Sequence, residues 1–139
     1  MAGQAHLVFQ LAGYAFAVDI LDVAKVHDLG AGADLLEWGE ELDLARYFRV
    51  QREAGKPPNF RVDMLVGNQP WSFAADAVED IQDFGLALFL AFPPLLRARE
   101  NLALKGFFFD GTRLIHQLDA PEMMVSRRFR ELLAEHGAA

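Results

Sequence analysis

Four histidines, two groups of acids and three hydroxyl side chains are the residues of this sequence whose types could do chemistry. His6, His27, His116 and His136 stand far apart, with neither an HExxH pair nor another ligand spacing, so no metal site is expected from them. His116 is the best placed, inside an apolar run, where a strand histidine satisfied by its neighbours is the ordinary case. Glu40, Glu41 and Asp43 form one acidic group, and Asp76, Glu79, Asp80 and Asp83 another. General acid–base work needs two carboxyls facing each other with separated pKa values, and spacing alone does not supply that. Solvated acidic loops are the simpler reading. Ser72, Thr112 and Ser126 are the only hydroxyl residues besides tyrosine, and none sits in a nucleophile elbow. Gly30 and Gly32 lack the preceding strand, the Lys and the Ser/Thr of a phosphate loop. With no cysteine, a disulfide or thiolate metal site is impossible. These residues point away from an enzyme and imply no cofactor. A weaker alternative is a small-ligand or enzyme pocket combining His116 with Asp76 or Glu79.

The elements that would position these groups are mostly strands. Residues 6–11 alternate, with Leu7, Phe9 and Leu11 on one face; Ala12-Gly13 turns the chain, and Phe16, Val18 and Ile20 alternate again. Residues 35–44 suggest a weaker strand pair about Gly39. Asp43 could cap a short helix through Phe48, with Leu44, Tyr47 and Phe48 inside and Arg46, Arg49 and Arg52 outside. Residues 53–59, with Gly55 and Pro57-Pro58, form the clearest linker. A second hairpin is expected from 60–66 and 71–75 across Gly67-Asn68, and a helix from about 121–136 with Val125, Phe129, Leu132 and Leu133 as one face. Residues 94–105 are ambiguous.

The stretch KGFFFDGTRLIHQLD (105–119) reads as a further hairpin with a tight Asp110-Gly111 turn and hydrophobic residues on both faces. HLVFQLAGYAFAVDILDVAKV also resembles FRVDMLVGNQPWSFAADAVEDI, each a strand, a glycine turn and a second strand with an aromatic, then an acid and a valine. A repeat of this size suggests two small antiparallel barrels on one plan, a closure that removes exposed strand edges. The 105–119 hairpin would then end the second barrel, one face in its core and the other against a neighbour.

With 139 residues the chain makes one domain, and its 53% hydrophobic and 24% charged residues describe a globular protein. Its net charge of −7 argues against nucleic acid and anionic lipid as partners. Neither a secretion signal nor a membrane-length apolar run is visible, since the greasiest stretch contains Pro93-Pro94. A cytoplasmic protein is the default expectation. Trp71 suits core filling, whereas Trp38 lies beside a turn, and with the run LALFLAF (86–92) it offers apolar surface for a protein interface. Arg127, Arg128 and Arg130 contrast with the acidic body and could contact an acidic partner, although solvated helix arginines are common.

Together these stretches resemble the CheW family, the adaptors that couple chemoreceptors to the histidine kinase CheA. LVFQLAGYAFAVDILDVAKV (7–26) is similar to the family's opening pattern, and VDMLVGNQPWSFAADAVEDI (62–81) to its second-half pattern, with Asp76 and Val78 in the places of Val-Asp-x-Val. LKGFFFDGTRLIHQLD (104–119) is similar to the final hairpin. The resemblance implies a mainly β CheW-like fold: two SH3-like five-stranded antiparallel barrels side by side, plus a C-terminal helix. It implies a single domain over 1–139, with 1–55 and the helix 121–136 as one half and 56–120 as the other.

It also implies a non-catalytic adaptor, whose partners would be a CheA-type kinase regulatory domain and a chemoreceptor cytoplasmic tip. Recruitment to membrane-associated receptor arrays would follow, without membrane insertion. The chain departs from the pattern at Lys25, where the family usually has glutamate. It departs again at Glu37-Trp38-Gly39, where Trp38 replaces the arginine of an Asn-Leu-Arg-Gly-like turn, and in a shorter segment over 27–34. Ile20 and Val23 match apolar family positions near the groove, though a core role suits them as well; Lys25 and Trp38 become rim residues that retune partner choice. The alternative is a degenerate module reused in a homodimer or another assembly.

Overall fold

The computed structural model describes residues 5–31, 37–83, 88–91 and 103–137. Strand β1 (Ala5–Leu11) turns through Ala12 and Gly13, at φ +54° and +85°, into β2 (Tyr14–Asp19). Two successive positive φ values match the twist of a two-residue hairpin. The strained Ala12 is held by its N–H, which donates to Asp76 Oδ2 at 2.9 Å. A short 3-10 turn, Ile20–Asp22, replaces the expected continuation of the strand through Ile20 and leads into β3 (Val23–Asp28). β4 (Glu40–Leu42) follows a second 3-10 turn, Leu29–Ala31; the partner strand expected before Gly39 falls largely on residues outside the described set. Helix α1 (Leu44–Phe48) is capped by Asp43, whose carboxylate accepts from Arg46 N at 3.1 Å.

The second hairpin is β5 (Phe60–Val66) and β6 (Gln69–Ala75), followed by β7 (Ala77–Asp83). β8 (Leu88–Ala91), β9 (Leu104–Phe109) and β10 (Leu114–Leu118) complete the strands. The turn between β9 and β10 is a four-residue loop, not the tight Asp110-Gly111 turn expected. The Asp110 carboxylate accepts from the N–H groups of Thr112 and Arg113 at 2.9 and 3.0 Å, folding the loop around itself. The expected single C-terminal helix is two, α2 (Ala120–Met124) and α3 (Arg127–Gly137). Ser126 breaks them: its hydroxyl donates to Met123 O at 2.6 Å and accepts from Phe129 N at 3.2 Å. Val125, placed on the apolar face by periodicity, is 72% exposed as a result.

Two sheets form, in strand orders β7-β1-β2-β10-β9-β8 and β3-β5-β6-β4. The third strand after each similar hairpin crosses to the other sheet: β3 pairs with β5, and β7 with β1. The final strand of each set runs parallel to its neighbour, β10 with β2 and β4 with β6. The architecture is mainly β, with two β subdomains and a C-terminal helix. Its strands divide six and four among the described residues: the larger sheet takes β1 and β2 from residues 1–55 and β7, β8, β9 and β10 from 56–120, and the smaller takes two from each half. The linker at 53–59 therefore does not separate two sheets.

One core joins them. Leu7, Phe9, Leu11, Phe16 and Val18 of the first sheet meet Val62, Met64, Trp71 and Phe73 of the second, all buried. α3 closes this core, with the Phe129 ring edge-on to Trp71 at 5.2 Å. On the other face of the first sheet Val8, Ala15, Ala17, Phe108 and Ile115 make a second cluster. That explains the two-sided hairpin: Phe108 and Ile115 fill the second cluster, while Leu104 and Leu118 reach the shared core. Glu79 of β7 meets Arg113 of the β9–β10 loop in a two-pronged ion pair at 2.5 and 2.7 Å, and also accepts from Gln10 at 2.9 Å. The edge strand is so tied to the far hairpin around the second cluster.

Candidate protein-binding site

The Asp19 carboxylate caps the 3-10 turn by accepting from Leu21 N at 2.9 Å. In that turn Ile20 is half-buried on the margin of the shared core, and Leu21 is 79% exposed. Burial, and after it the charge of Asp19, pushes the Asp22 carboxyl above its ordinary value. β3 then bulges at Ala24, so that Val23 faces Met64 and Lys25 faces Asp63. The extra residue divides the strand cleanly. Val23 and Val26 pack on the core, whereas Lys25 and His27 lie on the opposite face.

On that face a buried carboxylate pins the strand. Asp63 Oδ2 accepts from His27 Nε2 at 2.7 Å, and Oδ1 accepts from Arg61 Nε at 2.8 Å. Because Asp63 is taken by these two neighbours, Lys25 opposite it stays exposed and makes no ion pair among the described residues. Trp38 is half-buried, and its indole N–H donates to the Met64 carbonyl at 2.7 Å. Met64 is the residue that Val23 faces. Of the four expected residues, Ile20 and Val23 lie against the core at the edge where the 3-10 turn and β3 meet β5, Lys25 lies on the outer face of β3, and Trp38 is tied to the Met64 carbonyl of β5. The sequence reading missed Leu21 and the Asp63 cluster. Alternation of polar residues at 25, 27, 61 and 63 was the available signal.

The remaining groups are engaged elsewhere. The Nδ1–H of His116 donates to Ala15 O at 3.0 Å, with the Phe107, Phe16 and Tyr14 rings around it. Burial alone would raise the Asp76 carboxyl, but its bonds to Arg52 and to Ala12 N–H outweigh that and hold it below the ordinary range. Glu79 is likewise lowered, chiefly by Arg113. His116 shares the face of Phe16 and Phe9, while Glu79 bonds Gln10 on the other, so the pocket combining them does not form. His6 accepts from the Gln117 amide at 3.0 Å in the interior. Among the described residues no three His, Asp or Glu side chains are grouped to hold a metal, and the His136 side chain lies outside that set. Of the run 86–92, only the backbone of 88–91 is described, as β8.

No family model matches this chain, and no curated protein matches it. Among solved structures, the scaffolding protein TtCheW from Thermoanaerobacter tengcongensis superposes with a TM-score of 0.69, covering 91% of this chain and 95% of its own. The fold is CheW-like. At 14% identity the likeness establishes the architecture. No helix among the described residues is long and apolar enough to cross a membrane.

Proposed function

We propose that this protein is a non-catalytic adaptor of the CheW kind, coupling chemoreceptor tips to a CheA-type histidine kinase from the cytoplasm. The observation that carries the reading is a CheW-like architecture across 91% of the chain. On this reading Ile20, Val23, Lys25 and Trp38 form the binding margin. Ile20, Val23 and the exposed Leu21 offer apolar contact, and Lys25 supplies a cation free to meet a partner carboxylate. Trp38, held by its indole hydrogen bond, stiffens the edge they share with β5.

The test is a pull-down of the purified protein with the regulatory domain of the organism's CheA-type kinase and with a soluble receptor tip. Binding of either that weakens with Lys25→Glu supports the reading, and failure of both with folded protein refutes it. A second reading, self-association as a reused module, is favoured by the apolar end of the β9–β10 hairpin. There Phe109, Leu114 and Tyr14 are 40%, 47% and 49% exposed. Light scattering across concentration separates the two.

A further inference from the structure

We propose that this chain takes a second copy of itself as a partner by exchanging halves: residues 1–52 of each copy fold onto 57–139 of the other, with 53–56 as the hinge. The bonds between the halves are many. β1 pairs with β7, β2 with β10, β3 with β5 and β4 with β6. Arg52 meets Asp76, and the Leu29 N–H donates to Asn59 O at 2.8 Å. Leu7, Phe9 and Val18 share one core with Val62, Trp71 and Phe73. Each of these contacts joins a residue before the hinge to one after it, and none depends on both belonging to the same chain. An exchanged dimer keeps them all and needs no new surface, unlike self-association through the end of the β9–β10 hairpin.

The hinge itself holds little. Glu53, Ala54, Gly55, Lys56 and Pro57 are all exposed. The closed turn rests on the Lys56 N–H donating to Glu53 O at 3.4 Å, on Arg52 donating to Lys56 O at 3.4 Å, and on a Lys56–Glu53 ion pair whose side chains are both 71% exposed. The two hydrogen bonds are long, and water screens the ion pair. Reversing the chain here requires Gly55 at φ +82°, while Pro57-Pro58 favours an extended course directly after it. An open cavity of about 680 Å³ lies between the linker and the Ala12-Gly13 turn, so the loop is not packed down on the body. Opening the hinge therefore loses almost nothing that the fold depends on. Separating the halves breaks the shared core, so the exchange takes place during refolding and not in the folded monomer.

The test refolds the full chain from urea at micromolar and at millimolar concentration and separates the products by size exclusion. A dimer should form at the higher concentration and persist on dilution, because its return to monomer breaks the core. Ala5→Cys with Asp83→Cys places a thiol pair at facing positions of β1 and β7, in a chain with no other cysteine. Oxidised in air, the pair should close within one chain in the monomer fraction and link two chains in the dimer fraction, as read on a non-reducing gel. Gly55→Val should raise the dimer association constant about tenfold or more, since valine strains only the closed hinge and a Cβ there meets nothing within 4 Å. Gly13→Val, at φ +85° and equally open, strains the β1–β2 turn in monomer and dimer alike and should leave that constant unchanged. The proposal is overturned if parent and Gly55→Val both refold only to monomer at millimolar concentration. It is also overturned by dimers whose cysteines close within single chains, or by Gly13→Val favouring the dimer as strongly as Gly55→Val.

Discussion

At Gly39 the backbone runs at φ +61°, and a Cβ built there would lie 2.1 Å from the carbonyl oxygen of Pro70. Both the conformation and the close approach demand glycine. The contact brings the segment before β4 against β6, and so fixes where Trp38, one residue earlier, can place its indole. Gly39→Ala should therefore destabilise the protein by more than about 2 kcal/mol in urea unfolding. It should also weaken any binding that depends on Trp38. A loss within experimental error would mean the segment has another place to go. Some of this scale was legible in the sequence. Asp43 was readable as a cap because a carboxylate before a short apolar run has few other uses. The burial of Trp38 was not, since its partner is a backbone carbonyl 26 positions away.

Among the elements, β7 shows how an edge strand is held by charge. Glu79 takes two bonds from Arg113 and one from Gln10, and its folded-state pKa lies below the ordinary glutamate value. A depressed carboxylate stabilises the fold at pH above its unfolded pKa, and that contribution disappears as pH falls through the folded value. Thermal melts from about pH 6 down to about pH 3 should show Glu79→Gln less stable than the parent at the upper end, with the gap closing in acid. A gap that stays constant would contradict this account of the ion pair. β3 and β7 are also the elements that the sequence hid. VAKVHD and AVEDIQD are polar because each lies at the edge of its sheet. Each bulges or shifts register as well, so neither keeps a period of two. The central hairpins β1–β2 and β5–β6 alternate in hydrophobicity and were plain. The C-terminal helix was plain in type but not in continuity, since one Ser126 hydroxyl decides the break.

For the whole molecule, the exchange of β3 and β7 between sheets makes the halves interdependent. Residues 1–55 alone would leave β3 without β5, β1 without β7, and β2 without β10. The shared core would also lose Val62, Met64, Trp71 and Phe73. Fragments 1–55 and 56–139 should each be unfolded by near-ultraviolet circular dichroism and recover a folded signal on mixing. A fragment that folds alone would contradict this interdependence. The repeat itself was visible in the sequence, but its reciprocal pairing was not, because hairpin patterns say nothing about which sheet a third strand joins. The adaptor reading rests on the same architecture, and it asks that one margin, built where β3 meets β5, receive the partner. The most direct test is nuclear magnetic resonance mapping of the labelled protein titrated with the CheA-type regulatory domain and with the receptor tip. The account predicts that the largest shifts for at least one of them fall at Ile20–Asp22, Val23, Lys25 and Trp38. Shifts confined to Phe109, Leu114 and Tyr14, or none with either partner, would contradict it.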